Sequence, residues 1–142
     1  MKASEKICCH GHPLIKGTHS TTFEITTEKE LTLKGDCIIG VCADKGATDL
    51  DPAFSRLLAN DSALLYTFLQ VGPYTAYVQS RGSARITLSH PTDLVWRRST
   101  YVDARTIGIG SDQVAVTLPR NLITHLREGE DMIVEMSAVI PE

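Results

Sequence analysis

The sequence lacks an apolar run long enough to cross a membrane, and it lacks a charged-then-apolar secretory start. Both absences point to a cytoplasmic protein with no membrane partner. No C-x-x-C spacing occurs: Cys8 and Cys9 are adjacent, and Cys37 and Cys42 share one apolar segment. Adjacent cysteines rarely pair with each other, so reduced thiols are expected. Lysine is absent from residues 74–142, which hold seven arginines, whereas residues 1–73 hold six lysines and one arginine. The guanidinium fork suits phosphate or carboxylate better than an ammonium does, although drift at solvated positions gives the same imbalance. A net charge of -3 and a pI near 5.9 argue against a nucleic-acid partner.

What the chain does contain is recurrence. A shift of 68 carries Ile39-Gly40 onto Ile107-Gly108, Asp44 onto Asp112, Ala47 onto Ala115, Leu50 onto Leu118 and Leu58 onto Leu126, and continues to Val71 on Val139 and Pro73 on Pro141. Upstream the shift is 71, and Gly11, Ile15, His19 and Thr21 meet Gly82, Ile86, His90 and Thr92. The 142 residues therefore read as one domain, 1–142, made of two repeat units, about 3–73 and 74–141. Apolar content of 42% and charge of 22% are those of an ordinary globule with a real core.

In chain order, residues 3–10 and 74–81 read as extended. Cys8, His10 and His12 would then project to one face as donors of the kind zinc takes. The matching Gln79, Arg81 and Ser83 break that set, and no metal is assigned. The stretches 14–27 and 85–98, rich in β-branched residues, read as strands bent at Gly17 and Pro91. A polar turn is expected over 28–35 and a short buried strand over 36–41. Asp51-Pro52 opens a helix to Ala59, and Pro119 opens its counterpart, with Leu122, Ile123 and Leu126 inward and His125 at the surface. Strands follow over 63–71 and 132–140, the first entering a hairpin at Gly72-Pro73. The fold class is mainly β with two short helices (α+β), an internally duplicated, pseudo-two-fold closed β-barrel that leaves no free edge.

The candidate ligand-binding residues are His12, His19, Thr21, Asp36, Asp44, Lys45, His90, Thr92, Asp93 and Asp112. Each His-x-Thr pair, His19 with Thr21 and His90 with Thr92, puts an imidazole beside a hydroxyl, suited to an anion, a metal or proton exchange. The simpler reading is that each histidine ties down a turn. Asp44 and Asp112 follow the short buried strand, where a carboxylate serves either a turn or a site. Gly108-Ile109-Gly110 lacks the third glycine of a dinucleotide fingerprint and the lysine of a P-loop.

Three function classes follow. A barrel binding a small molecule, an anion or a metal would gather these polar groups in one pocket. A metal-assisted or acid–base enzyme would show perturbed titration among them. A nucleic-acid or assembly module would expose Arg81, Arg85, Arg97, Arg98 and Trp96 on one sheet face. No motif names a cofactor, a catalytic residue or an oligomeric state.

The order strand, Gly-Asp, strand, helix, strand from Gly35 to Val71 resembles the half-unit of cradle-loop barrels. The segment Val116 to Met136 resembles swapped-hairpin transcription regulators of the AbrB type. The second unit departs from the first in carrying Ala104 where Asp36 stands. Across nearly the whole chain, five motifs resemble an archaeal family known as domain of unknown function 371. They are Gly11-His12, His19-x-Thr21-Thr22, Gly35-Asp36-Cys37-Ile38-Ile39-Gly40, Ala43-Asp44-Lys45 and Ser89-His90-Pro91-Thr92-Asp93. That resemblance implies an archaeal cytosolic source and carries no activity with it.

Overall fold

The computed structural model describes residues 1–31 and 35–142. The expected polar turn over 28–35 falls partly on 32–34, which lie outside the described residues. Among the described residues, eight strands and two helices occur: β1 (Lys2–His10), β2 (Thr22–Thr26), β3 (Ile38–Gly40), α1 (Pro52–Leu58), β4 (Leu64–Val71), β5 (Tyr74–Arg81), β6 (Asp93–Arg97), β7 (Thr106–Gly108), α2 (Arg120–Arg127) and β8 (Asp131–Val139). A single 3-10 turn precedes each helix, at Ala47–Asp49 and Ala115–Thr117. The element order of residues 2–71 thus recurs in 74–139.

The strands form two four-stranded sheets, ordered β1-β8-β4-β5 and β3-β2-β6-β7. The first is antiparallel throughout. In the second, β2 and β6 are antiparallel at the centre, and β3 and β7 run parallel to them at the edges. This corrects the expected closed barrel. The sheets touch at their edges through one isolated bridge each, His10 with Val41 and Arg81 with Ile109. Closure fails because β3 and β7 are three residues long and the chain then turns away, through Cys42 at φ 53° and Gly110 at φ 56°. The edges of β1 and β5 are covered by side chains instead.

The first sheet alternates strictly along β4, whose Leu65, Thr67, Leu69 and Val71 point inward and whose Tyr66 and Phe68 point outward. The pairing of β8 brings Met132, Val134, Met136 and Ala138 to the same inner layer. Leu65 stands opposite Ala138 and Leu69 opposite Val134, and this register puts the apolar residues of both strands on one face. A slip of one residue in a strand exchanges its faces.

The core between the sheets is centred on Trp96, which is stacked on Phe23 with ring centroids 4.6 Å apart. The Trp96 indole N–H donates across the core to Thr67 Oγ1 at 3.0 Å, joining the two sheets. Burying an indole is favourable only when its N–H finds such an acceptor. Trp96 is fully buried, so it cannot be the exposed ring that a nucleic-acid face would need. Phe54 and Leu58 of α1 and Leu122, Ile123 and Leu126 of α2 close the ends of the core. Asp51 caps α1 by accepting the Ala53 amide at 2.8 Å, with Pro52 first in the helix. At α2 the expected opener Pro119 stands one residue before the helix, and Arg120 donates to the carbonyls of Gly17, Ala115 and Leu118.

The long strands expected over 14–27 and 85–98 shrink to β2 and β6. The preceding segments are irregular because Gly17 and Leu88 take left-handed backbone, φ 60° and 48°, and because His19 and His90 fold the chain into turns.

Candidate functional site

The ten expected residues do not share one pocket; the structure distributes them over three places. His12, His19 and His90 each accept backbone N–H groups on Nδ1. His12 takes Leu14, His19 takes Thr21 and Thr22, and His90 takes Thr92 and Asp93, at 3.0–3.2 Å. A doubly accepting Nδ1 places the ring proton of His19 and His90 on Nε2. These turns also bind across the molecule, since the His90 carbonyl accepts from Thr48 and the His19 carbonyl from Val116. The Asp36 carbonyl accepts from Thr18 and His19.

Asp44 and Asp112 sit on the sheet edges. Asp44 accepts the Cys8 amide at 3.0 Å and Asp112 the Gln79 amide at 2.9 Å. Lys45 pairs with Glu5 and donates to the Lys6 carbonyl at 3.0 Å. The terminal trio Cys8, His10 and His12 does not assemble, because His10 pairs with Asp131 and His12 lies beyond the strand in its own turn. His125 is half-buried against Tyr74 and pairs with Glu130.

The third place is a buried polar cluster on the outer face of the second sheet. Along β2, Thr22, Glu24 and Thr26 point away from the Phe23–Trp96 core, yet all three are buried. Glu24 is 4% exposed, and three groups from separate segments face its carboxyl. Arg105, from the turn before β7, donates to Oε1 at 2.9 Å. The Cys37 thiol, just before β3, donates to Oε2 at 3.2 Å. Asp93, opening β6, lies within hydrogen-bonding reach. Arg105 also stands 3.6 Å from both Asp93 and Asp103, and Arg97 pairs with Asp103 at 2.9 Å.

Electrostatics in this cluster follow from desolvation. Burial, reinforced by the Asp93 charge, pushes the Glu24 carboxyl up to about 7 against the opposing pulls of Cys37 and Arg105. Burial and the neighbouring Glu24 push the Cys37 thiol up to about 12, so it stays a neutral donor. Burial alone would raise Asp93 and Asp103, but hydrogen bonds outweigh it: from Thr26 and Thr92 to Asp93, and from the Arg105 amide, with the Arg97 charge, to Asp103. Both carboxyls end below the usual range.

Of the expected residues, Thr92 and Asp93 belong to this cluster. Glu24, Cys37, Arg97, Asp103 and Arg105 had not been singled out as ligands. The one available signal was an acid in the middle of the short apolar strand TFEIT. Five of the seven arginines in the second half, Arg85, Arg97, Arg105, Arg120 and Arg127, are bound to carboxylates, hydroxyls or carbonyls of the chain itself.

The outer face of the first sheet carries a groove of about 790 Å³. Its floor is Tyr66, Phe68 and Tyr77, and its rim includes Lys6, Gln79 and Glu135. Phe68 and Tyr77 are cross-strand partners with centroids 4.8 Å apart and planes tilted by 37°. Tyr66 lies in the next row, opposite Gln79. Tyr77 is 73% exposed, an unusual place for so large a ring. Asp112 lines one end of this groove and is the expected site residue that does so.

The chain belongs to the family described as Domain of unknown function (DUF371), whose model matches residues 7–139. It is 37% identical over 123 residues to the Uncharacterized protein MJ0206 of Methanocaldococcus jannaschii, an alignment covering 87% of this chain and 90% of that one. Among the described residues no helix is long and apolar enough to cross a membrane.

Proposed function

We propose that this member of a family without an assigned activity binds a flat, ring-bearing small molecule in the groove over β1, β8, β4 and β5. The observation that carries this reading is the row of rings on a four-stranded face, with Tyr66 and Tyr77 exposed and Phe68 half-buried beside them. Alternate residues of a strand share a face, so Tyr66 and Phe68 present their rings side by side, and Tyr77 extends the surface onto the next strand. Stacking one planar ligand ring on such a floor is worth about 1–3 kcal/mol. Ser4, Gln79 and Ser137 supply hydrogen-bonding groups at the rim.

Charge separates the ligand classes. With Glu5 already paired with Lys45, the lining holds Asp112 and Glu135 against Lys6, which favours a neutral or cationic molecule over an anion and gives a nucleic-acid backbone little to hold. The matched roles of Asp44 and Asp112 and of His19 and His90 support reading the two halves as copies of one unit within a single domain. That unit would contribute β1 and β4 from one copy and β5 and β8 from the other to the groove floor.

The test is an NMR titration of the isotope-labelled protein with adenosine, uridine and nicotinamide, three neutral flat rings. Saturable amide shifts confined to residues 64–71, 74–81 and 131–139, and abolished by Tyr77→Ala, are expected. Shifts that fail to saturate for every probe, or that survive Tyr77→Ala together with Tyr66→Ala, would overturn the reading.

A further inference from the structure

The cluster under the second sheet has a charge count that needs one more proton. Among the described residues, its charged groups are Glu24 on β2, Asp93 and Arg97 on β6, and Asp103 and Arg105 from the segment before β7. Cys37, before β3, is a neutral thiol, and the His90 ring near Asp93 already accepts the Thr92 and Asp93 amides on Nδ1. Two guanidinium groups balance two carboxylates. A third carboxylate would leave a surplus negative charge at a residue that is 4% exposed. A buried charge without a counter-charge is costly, so such a group takes up a proton or the site opens.

We infer that Glu24 carries the proton that balances this cluster, and that losing it unlatches the 99–105 segment from the second sheet, making that segment a pH-operated element. The geometry is that of a latch. Arg105 grips Glu24 and Asp93 from outside, and Asp103 is held by Arg97 and by the Thr106 hydroxyl at 3.1 Å. The Val95 amide donates to the Arg105 carbonyl at 2.9 Å. When Glu24 ionises, its attraction to Arg105 grows, but the cost of a charge kept from water and its repulsion with Asp93 outweigh that gain, and opening the segment returns the carboxylate to water. A folded-state value near 7 against an ordinary 4.5 gives the window. The stability supplied by protonated Glu24 is complete below the ordinary value and is lost as pH rises through neutrality.

The experiment follows the Glu24 carboxyl carbon by NMR in the whole chain, assigned by its loss in Glu24→Gln. The expected midpoint is near neutrality, with the other glutamates titrating in their usual range, and amide exchange of residues 99–105 should rise through the same window beyond that of an unstructured peptide. Glu24→Gln, which keeps a neutral donor, should lose both the pH-dependent exchange and the fall in urea midpoint between about pH 5 and about pH 8. Titration of Glu24 with the other glutamates would overturn the inference. So would a Glu24→Gln protein whose segment still opens with rising pH. Should that variant fail to fold, the infrared band of a protonated carboxyl in the wild-type chain at pH 6, present or absent, decides the matter.

Discussion

The Asp112 carboxylate accepts the Gln79 amide while the Asp112 amide donates to the Gln79 carbonyl at 3.0 Å, so one residue satisfies both backbone groups of its partner on the edge of β5. Asp44 does the same for Cys8 on β1. An aspartate at these places replaces the strand that would have closed a barrel, and it blocks the edge against another chain. Replacing either by Ala should cost about 1–2 kcal/mol, since a charged acceptor is lost from a partly solvated bond. The two costs should add, because the sites share no partner. Asn, which keeps the acceptor, should recover most of the loss in urea denaturation. An Asn variant as unstable as the Ala variant would mean that the charge, not the bond, matters there.

The histidine turns give a second prediction. His19 and His90 each gather two amides on Nδ1, and their carbonyls each hold the 3-10 turn of the opposite half. Replacing both by Ala should lower the melting temperature markedly, with about 1–2 kcal/mol lost at each. Asn should be tolerated, because a short side-chain acceptor can serve the same turn; Ser83 does so for the Arg85 amide at 3.2 Å. A folded double-Ala protein with an unchanged melting temperature would remove the turn role and return these residues to the list of ligand groups.

Local features were legible in the sequence and long-range partnerships were not. Asp51-Pro52 marked the start of α1, Gly72-Pro73 marked the hairpin between β4 and β5, and the recurring Ile-Gly pairs fall at the ends of β3 and β7. These depend on backbone preferences within a few residues. The barrel was misread because closure depends on where β3 and β7 stop, which strand propensity does not encode. The cluster was hidden for a similar reason: Glu24 and Arg105 stand 81 residues apart, and neither belongs to a motif by spacing. Tyr66 and Phe68 alternate along β4, but the face they occupy is decided by the pairing of β4 with β8.

Asp93 and Asp103 set the acid limit of the fold. Against the opposing effect of burial, hydrogen bonds from Thr26, Thr92 and Glu24 hold Asp93 below the ordinary aspartate value of 3.8, and the Arg105 amide, the Arg97 guanidinium and the Thr106 hydroxyl do the same for Asp103. Their contribution to stability is therefore present above that value and is lost as pH falls through their lower folded-state values. Urea midpoints measured downward from about pH 5 should fall steeply below about pH 4, and Asp103→Asn should flatten that limb while costing stability near neutrality. An unaltered acid limb in Asp103→Asn would show that the partly buried Arg97–Asp103 pair contributes nothing measurable.

Cys42 offers a prediction of opposite sign. It is an exposed residue with φ 53°, in the left-handed region where a side chain costs about 1–2 kcal/mol, and its counterpart after β7 is Gly110 at φ 56°. Glycine accepts that backbone without strain but adds about 0.5–1 kcal/mol of freedom to the unfolded chain. The relief of strain is the larger of the two, so Cys42→Gly should raise stability by up to about 1 kcal/mol. The Cys42 amide donates to the Glu28 carbonyl at 2.9 Å, and glycine keeps that bond. Ala in the same place keeps the strain and should give no gain. Equal effects of Gly and Ala in a denaturation series would locate any change in the loss of the thiol and not in the backbone.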